Sequence, residues 1–263
     1  NTYDLMTEIF LQSRDKGMDS TSFRKFKYRM AILREKLGMG PGAGIMRELI
    51  SENPNYDKYY LNLRWMLWDD AEVLEEVLRD RPYYRRSGGG LTLSGGESLW
   101  QPDFAIALLE AAHQNGINTA LETTGFAEPE VIERFIPHLD LFLMDIKHIN
   151  SAKHQEFTTR PNEQILSNAK LIAEKAKKLI IRVPVIPGFN DTVEEIGDIA
   201  SFALSLPNVN EIHLLPYHRM GRDKYEGLGR EYLMGDVPSP TAEKMQELLK
   251  ICRGFGLTAH LGG

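Results

Sequence analysis

Residues 87–101 read S-G-G-G-L-T-L-S-G-G-E-S-L-W-Q, and this stretch decides how the chain folds. The run 91–93 (L-T-L) is typical of a short β-strand, and a proline directly after the stretch is typical of the first turn of a helix. Between them, Gly95 and Gly96 let the backbone approach a ligand closely, because glycine has no Cβ and accepts positive φ. The stretch therefore predicts a strand, a glycine turn that presents the carboxylate of Glu97, and a helix.

The string L-S-G-G-E at 93–97 is similar to the signature sequence of ABC-type ATPases. Such an ATPase needs an upstream G-x-x-x-x-G-K-[ST] loop, whose backbone N–H groups and lysine neutralise the triphosphate. The glycine-rich run 38–44 (G-M-G-P-G-A-G) is followed by Ile45 and Met46 instead of lysine and a hydroxyl residue. We interpret that run as a flexible turn, and the ATPase hypothesis is excluded.

Composition and charge restrict the class of protein. The chain has 263 residues, of which 42% are hydrophobic and 26% charged, enough for one barrel-sized domain with a sizeable core. Neither a membrane-spanning run nor a signal-peptide pattern is visible, so we expect a cytoplasmic protein without a membrane partner. A net charge of −6 argues against nucleic acid as a partner, and the oligomeric state stays open.

Short apolar runs alternate with helical patterns over residues 71–263, which indicates parallel strands with helices outside them. The predicted fold is α/β, an open or partial (β/α) barrel of parallel strands with outer helices. Residues 1–70 form an N-terminal segment without a clear role, which we expect to be mostly helical. Strands are predicted at 91–94, 117–122, 139–145, 179–185, 210–215 and 256–261, and helices at 71–79, 102–114, 128–136, 150–156, 163–177, 192–205 and 240–253.

Polar residues follow or end several of the predicted strands. Asp145 and Lys147 lie on the same side of their strand, because side chains alternate with period two. Taken singly, these two would be a structural ion pair, Glu122 a helix cap, Arg182 a strand charge and His218 a loop residue. Taken together at the carboxyl ends of the strands, they predict one site for a ligand that carries both charges.

Much of the chain, about residues 75–263, resembles the glycyl-radical-enzyme activating enzymes of the radical S-adenosylmethionine superfamily, the group that includes the pyruvate formate-lyase activator. The strings that carry the resemblance occur in the same order as in that family. They are R-P-Y-Y-R-R-S-G-G-G-L-T-L-S-G-G-E (81–97), L-D-L-F-L-M-D-I-K-H (139–148), I-I-R-V-P-V-I-P-G-F-N-D (180–191), L-L-P-Y-H-R-M-G (214–221) and Y-E-G-L-G-R-E-Y (225–232).

The resemblance implies a site for S-adenosyl-L-methionine at the barrel mouth. Glu97 and the carbonyl groups of the glycine turn suit its ammonium group, Lys147 or Arg182 suits its carboxylate, and His218 suits its ribose or carboxylate. The implied cofactor-binding residues are Gly95, Gly96, Glu97, Asp145, Lys147, Arg182 and His218. The resemblance also implies a monovalent cation beside the cofactor, bound by Glu122, Thr123, the backbone carbonyl of Met144 and Asp145, since oxygen ligands suit a hard cation.

In this family a 4Fe-4S cluster reduces S-adenosylmethionine to a 5′-deoxyadenosyl radical, which abstracts hydrogen from a glycine of a partner, the glycyl radical enzyme. Three thiolates of a C-x-x-x-C-x-x-C motif bind the cluster in the family. This chain contains one cysteine, Cys252, which we expect to be a small buried residue of the last helix. No catalytic residue is therefore assigned.

Three explanations for the missing motif stay open. We favour a truncated or altered N-terminus; the others are a degenerate pseudo-activase that binds S-adenosylmethionine or the partner enzyme without chemistry, and a cluster with ligands other than cysteine. An unrelated (β/α) enzyme is a further alternative, in which Glu97, Asp145 and His218 bind a divalent metal. Neither the identity of the partner enzyme nor the role of residues 1–70 follows from the sequence.

Overall fold

A computed structural model describes residues 70–94, 96–218, 235 and 237–262. Nearly all of the predicted N-terminal segment 1–70, and also Gly95, lie outside the described residues. The chain divides between Glu72 and Val73, and the unit Val73–Gly263 contains the whole sheet described below. The boundary near residue 70 stays a prediction, as does the expectation that the segment before it is mostly helical.

Helices and strands alternate through this unit, as the sequence predicts. The strands are β1 (Gly90–Leu93), β2 (Asn118–Thr123), β3 (Leu141–Asp145), β4 (Leu179–Val185), β5 (Glu211–Pro216) and β6 (Thr258–Leu261). The helices are α1 (Asp70–Arg79), α2 (Arg81–Ser87), α3 (Pro102–Gln114), α4 (Pro129–Phe135), α5 (Ser151–Thr158), α6 (Glu163–Lys175), α7 (Val193–Ser205) and α8 (Ala242–Gly254). Short 3₁₀ helices cover Ser98–Trp100 and Ile136–His138.

The six strands form one sheet in the order β1-β2-β3-β4-β5-β6, and every neighbouring pair is parallel. Each strand follows its predecessor in the chain and pairs with it, as in a (β/α) barrel, so all carboxyl ends meet at one edge. The predicted fold class and the six predicted strands are confirmed. Among the described residues, β1 and β6 are the edge strands.

The two faces of the sheet differ because residues alternate along each strand. One face carries fully buried apolar side chains, such as Leu121, Phe142, Ile181 and Leu214, and packs on the helices. The helices contribute apolar residues spaced three or four apart to this core, for example Ile196, Ile199, Ala200 and Ala203 of α7. The opposite face is only half-buried and polar, and it includes Glu122, Asp145, Arg182 and His213.

Among the described residues, α2 is the one α-helix that the sequence did not predict. Its string R-P-Y-Y-R-R-S has no buried residue, so it lacks the apolar periodicity by which helices are recognised. Pro82 stands in its first turn, and Gly88 ends it in the left-handed conformation, with φ of +71°. Pro82 and Gly88 therefore mark the two ends of this helix, but its hydrophobic pattern does not predict it.

No helix among the described residues is long and apolar enough to cross a membrane.

Candidate functional site

The turn after β1 is joined to the end of β2 through the carboxylate of Glu97. Oε1 of Glu97 accepts hydrogen bonds from Thr123 Oγ1 at 2.7 Å and from Leu99 N at 3.4 Å. Oε2 accepts from the N and Oγ1 of Thr124, at 2.9 and 2.7 Å. These donors fix the orientation of Glu97, and they use most of the hydrogen-bonding capacity of its carboxylate.

Gly96 has φ of +80°, a conformation that favours glycine, and a Cβ added there would meet no atom within 4 Å. The backbone of this turn is thus open on the side where a side chain would stand. Gly95 lies outside the described residues.

A chain of polar contacts, which we call the mouth network, connects strands β2 to β4 and the residues shortly after β1 and β3: Ser94, Glu122, Arg182, Asp145 and Lys147. Ser94 Oγ donates to Glu122 Oε2 at 2.5 Å, and Arg182 Nη1 lies 2.6 Å from Glu122 Oε1. Nε and Nη2 of Arg182 donate to Asp145 Oδ1 at 3.1 and 3.0 Å, and Lys147 Nζ donates to Asp145 Oδ2 at 3.3 Å. Arg182 therefore bridges the two carboxylates.

Strand register explains why these residues meet. Asp145 of β3 is in register with Arg182 of β4, so their side chains project from the same face of the sheet. Glu122 stands on that face as well, because it is in register with Leu143, two residues before Asp145. The prediction that Asp145 and Lys147 share a side is confirmed by their direct contact.

Charges of both signs balance inside the mouth network. The side chains of Arg182 and Asp145 are only 12% and 17% exposed. Burial disfavours the charged form of Arg182, but Asp145 and Glu122 outweigh it and raise the arginine's pKa. Burial likewise opposes ionisation of Glu122, but hydrogen bonds from Ser94 and Arg182 outweigh it and lower the carboxyl's pKa.

Asn190 holds the loop after β4 against the end of β3, directly beside the mouth network. Its side chain is completely buried. Nδ2 donates to the carbonyl groups of Lys147 at 2.7 Å and Pro184 at 2.9 Å, while Oδ1 accepts from Ile186 N at 2.7 Å. This amide thereby fixes the backbone from which Lys147 projects.

The residues proposed for a monovalent cation already have partners within the protein. Glu122 and Asp145 share Arg182, and the hydroxyl of Thr123 donates to Glu97. Met144 is proposed through its backbone carbonyl; its side chain is fully buried and packs beside Gly125. In this arrangement the guanidinium group of Arg182 supplies the positive charge between the two carboxylates.

His218 is exposed and lies two residues beyond the end of β5. Among the described residues, no recorded hydrogen bond or ion pair joins it to the mouth network. Sequence reasoning assigned no role to Ser94, Thr124 or Asn190. The first two stand next to residues that were selected, whereas Asn190 is recognisable only from its buried contacts.

The described residues do not fit a 4Fe-4S cluster. The chain's single cysteine, Cys252, is fully buried in α8, far along the chain from the glycine turn. Burial raises the pKa of its thiol to about 11, and a single buried cysteine does not supply the three thiolates that bind a cluster. The prediction that Cys252 is a buried core residue is confirmed.

No protein-family model matches the chain. A solved domain of the pyruvate formate-lyase-activating enzyme from Bacteroides vulgatus is 35% identical, with a TM-score of 0.56, and the match covers 66% of this chain and 99% of that domain. The chain belongs to the glycyl-radical-enzyme activating enzymes of the radical S-adenosylmethionine superfamily.

Sequence relatives of this activating-enzyme chain agree with the structural match. The chain is 49% identical over 169 residues to the isethionate sulfite-lyase activating enzyme of Desulfovibrio desulfuricans. The matched stretch covers 64% of this chain and 54% of that enzyme. It thus spans about half the length of that relative. A radical S-adenosylmethionine methyltransferase from Sphaerobacter thermophilus, with a TM-score of 0.57 at 14% identity over 74% of the chain, shares the fold.

Proposed function

We propose that the mouth network and the glycine turn bind S-adenosylmethionine, and that the protein serves the activation of a glycyl radical enzyme. The observation that supports this proposal is the convergence of Glu122, Arg182, Asp145 and Lys147 at adjacent strand ends. These four groups are balanced in charge, and the zwitterionic amino acid part of S-adenosylmethionine adds no net charge to them, while its sulfonium carries one further positive charge. When such a ligand binds, its carboxylate and its ammonium group each lose water and gain an oppositely charged partner in the protein.

The role proposed for each residue follows from the charge or hydrogen-bonding group that it has available for the ligand. Lys147 is a half-buried cation with one carboxylate partner, and together with Arg182 it would bind the carboxylate of the nucleoside. The ammonium group would lie against the carbonyl oxygens of the glycine turn, with Glu97 held in place by Thr123 and Thr124. His218, on the exposed loop after β5, would contact the ribose or the carboxylate.

A monovalent cation beside the cofactor is a further part of the proposal. It requires that Arg182 release Glu122 or Asp145 when it turns to the cofactor's carboxylate, because both carboxylates are paired with Arg182 in the structure. Oxygen atoms of Glu122, Thr123, Met144 and Asp145 would then be its ligands. Binding of S-adenosylmethionine should accordingly weaken when sodium and potassium are replaced by choline at equal ionic strength. An unchanged affinity would contradict the proposed cation site.

The binding proposal is tested by substituting Lys147 with methionine. We expect Lys147→Met to weaken binding of S-adenosylmethionine by about tenfold, since a hydrogen bond to a charged group contributes roughly 1.5–3 kcal/mol and this one is partly exposed to solvent. Isothermal titration calorimetry gives the affinity. Methylthioadenosine, which lacks the amino acid part, should bind the variant and the parent protein equally.

Lys250→Met, a change of an exposed lysine in α8, is the matched control and should leave both affinities unchanged. If Lys147→Met lost affinity for S-adenosylmethionine and for methylthioadenosine to the same extent, the substitution would have damaged the fold in general. No heat from S-adenosylmethionine with the parent protein would defeat the proposal itself.

A second candidate function is a pseudo-activase that binds the cofactor or the partner enzyme without radical chemistry. The observation in its favour is that the chain's one cysteine is buried and protonated, so this chain offers no set of thiolates. Reductive chemistry in this family depends on the cluster, and we assign no step through it.

Iron content distinguishes the two candidates. After anaerobic reconstitution with iron and sulfide, a pseudo-activase is expected to contain no stoichiometric iron and to lack the brown absorption of a cluster. About four irons per chain, together with reductive formation of 5′-deoxyadenosine, would contradict the pseudo-activase and favour an active enzyme.

A further inference from the structure

A second polar cluster lies on the same half-buried face of the sheet, on strand β5 and the edge strand β6. It consists of Glu211, His213 and His260, which we call the edge cluster. Nε2 of His213 lies 2.9 Å and Nε2 of His260 3.8 Å from Oε1 of Glu211. In the part of the chain that the structure describes, no other group of three or more His, Cys, Asp or Glu side chains has ligand atoms this close together, within 4.8 Å.

The backbone determines this convergence. Glu211 and His213 are two residues apart on β5 and therefore face the same side, and His213 is in register with His260 of β6. The two imidazole rings stand edge to face, with centroids 5.4 Å apart and an interplanar angle of 82°. Sequence reasoning missed this cluster, although E-x-H at 211–213 shows the alternation typical of a strand with one polar face.

The composition of the edge cluster is that of a transition-metal site. Two imidazole nitrogens and one carboxylate oxygen are ligands that Zn²⁺ accepts, with bonds of about 2.0–2.2 Å and a fourth position for water. A small movement of His260, whose side chain is 55% exposed, would bring the three atoms to such distances from one ion. We propose that Glu211, His213 and His260 bind a divalent transition-metal ion of the zinc class.

Two neighbouring groups limit the affinity of this site. Nδ1 of His213 is buried and has no hydrogen-bond partner, whereas metal-binding histidines usually donate their second N–H to an acceptor. Lys178 Nζ, 2.9 Å from Oε2 of Glu211, competes with the ion for the same carboxylate. We therefore expect an affinity about 10–100-fold weaker than that of a site with a complete outer shell.

The location of the edge cluster suggests what the ion would do. Because β6 is an edge strand among the described residues, an ion shared between β5 and β6 would tie it to the sheet. A ligand that binds only the folded state raises the melting temperature. Zinc should accordingly stabilise this protein against heat.

The other residues that the sequence offered for a divalent metal do not converge. Glu97, Asp145 and His218 are not among the groups with ligand spacing in the described part of the chain. Glu97 and Asp145 are instead bound to Thr124 and Arg182.

Metal titration of the untagged chain tests the proposal. Cobalt(II) should bind with one equivalent per chain and give the intense visible absorption of a four-coordinate ion, and zinc should displace it. His260→Ala, a change at an exposed side chain that should not disturb folding, is expected to weaken zinc binding at least about tenfold and to abolish the zinc-dependent rise in melting temperature. Lys178→Met should strengthen zinc binding, because it removes the competing ammonium group.

His138→Ala is the matched control, since it removes one histidine elsewhere in the chain and should leave zinc affinity unchanged. The proposal is overturned if the parent protein binds no zinc. It is also overturned if His260→Ala binds zinc as tightly as the parent and His138→Ala do. Circular dichroism of each variant shows that it is folded.

Discussion

Replacing Arg182 with methionine is expected to lower the free energy of unfolding by roughly 2–3 kcal/mol. The substitution removes the one group that pairs with both Glu122 and Asp145, and it leaves two carboxylates close together on a half-buried surface. Removal of one partner from a buried ion pair is costly, because the remaining charge keeps its desolvation penalty. Urea denaturation at neutral pH, followed by circular dichroism, measures the change.

Arg134→Met is the matched control for this prediction. Arg134 also pairs with an aspartate, Asp103, at 2.6 Å, but both side chains are at least half exposed. Its replacement should change stability by less than about 0.5 kcal/mol. Equal effects of the two substitutions would show that Arg182 does not bridge buried carboxylates.

Charge pairing also predicts a partial rescue. Adding Glu122→Gln to Arg182→Met removes the carboxylate that, among the described residues, has no other cation as a partner, whereas Asp145 keeps Lys147, so the double variant should be more stable than Arg182→Met alone. Additive losses of stability would contradict the coupling that the structure shows between these two side chains.

Asn190→Ala is expected to cost about 3 kcal/mol of stability. The substitution removes three hydrogen bonds of a fully buried side chain and leaves the N–H of Ile186 and the carbonyl groups of Lys147 and Pro184 without that partner. Because the same amide fixes the backbone at Lys147, we also expect weaker binding of S-adenosylmethionine at temperatures where the variant is fully folded. Chemical denaturation and calorimetry give the two quantities.

Asn210→Ala is the control, since Asn210 is exposed just before β5. Surface changes of this kind are expected within about 0.5 kcal/mol of the parent. If Asn190→Ala lost stability but bound the cofactor with parental affinity, the amide would support the fold without positioning Lys147.

The sheet was predictable because its physical signal is local. Each predicted strand is an apolar run between turn residues, and β4 (Leu179–Val185) and α3 (Pro102–Gln114) have the predicted bounds. Period-two alternation also sufficed to place Asp145 and Lys147 on one side. Alternation with helices then determined that the strands are parallel and that their polar ends meet.

The partners of the site residues were not predictable, because they depend on strand register. Glu97 was expected to present its carboxylate to a ligand, but in the structure that carboxylate binds Thr123 and Thr124, on the neighbouring strand's end. Arg182 and Asp145 are 37 residues apart in the chain, and nothing in either local sequence specifies that they meet. The edge cluster of Glu211, His213 and His260 likewise arises from pairing between β5 and β6.

Several of these contacts explain why the site is arranged before any ligand binds. Arg182 is held by two carboxylates, and the backbone at Lys147 is held by Asn190. Groups that are positioned in advance lose little conformational entropy when a ligand arrives. The account therefore rests on the claim that this preformed, charge-balanced network is the binding site of the cofactor's amino acid part.

A crystal structure of the protein grown with S-adenosylmethionine tests that claim most directly. The account predicts density for the nucleoside at the strand ends, with its amino acid carboxylate in contact with Lys147 or Arg182 and its ammonium group beside the turn at Gly96 and Glu97. A structure in which the nucleoside binds elsewhere, while the contacts of Arg182 with Glu122 and Asp145 stay as they are here, would contradict it.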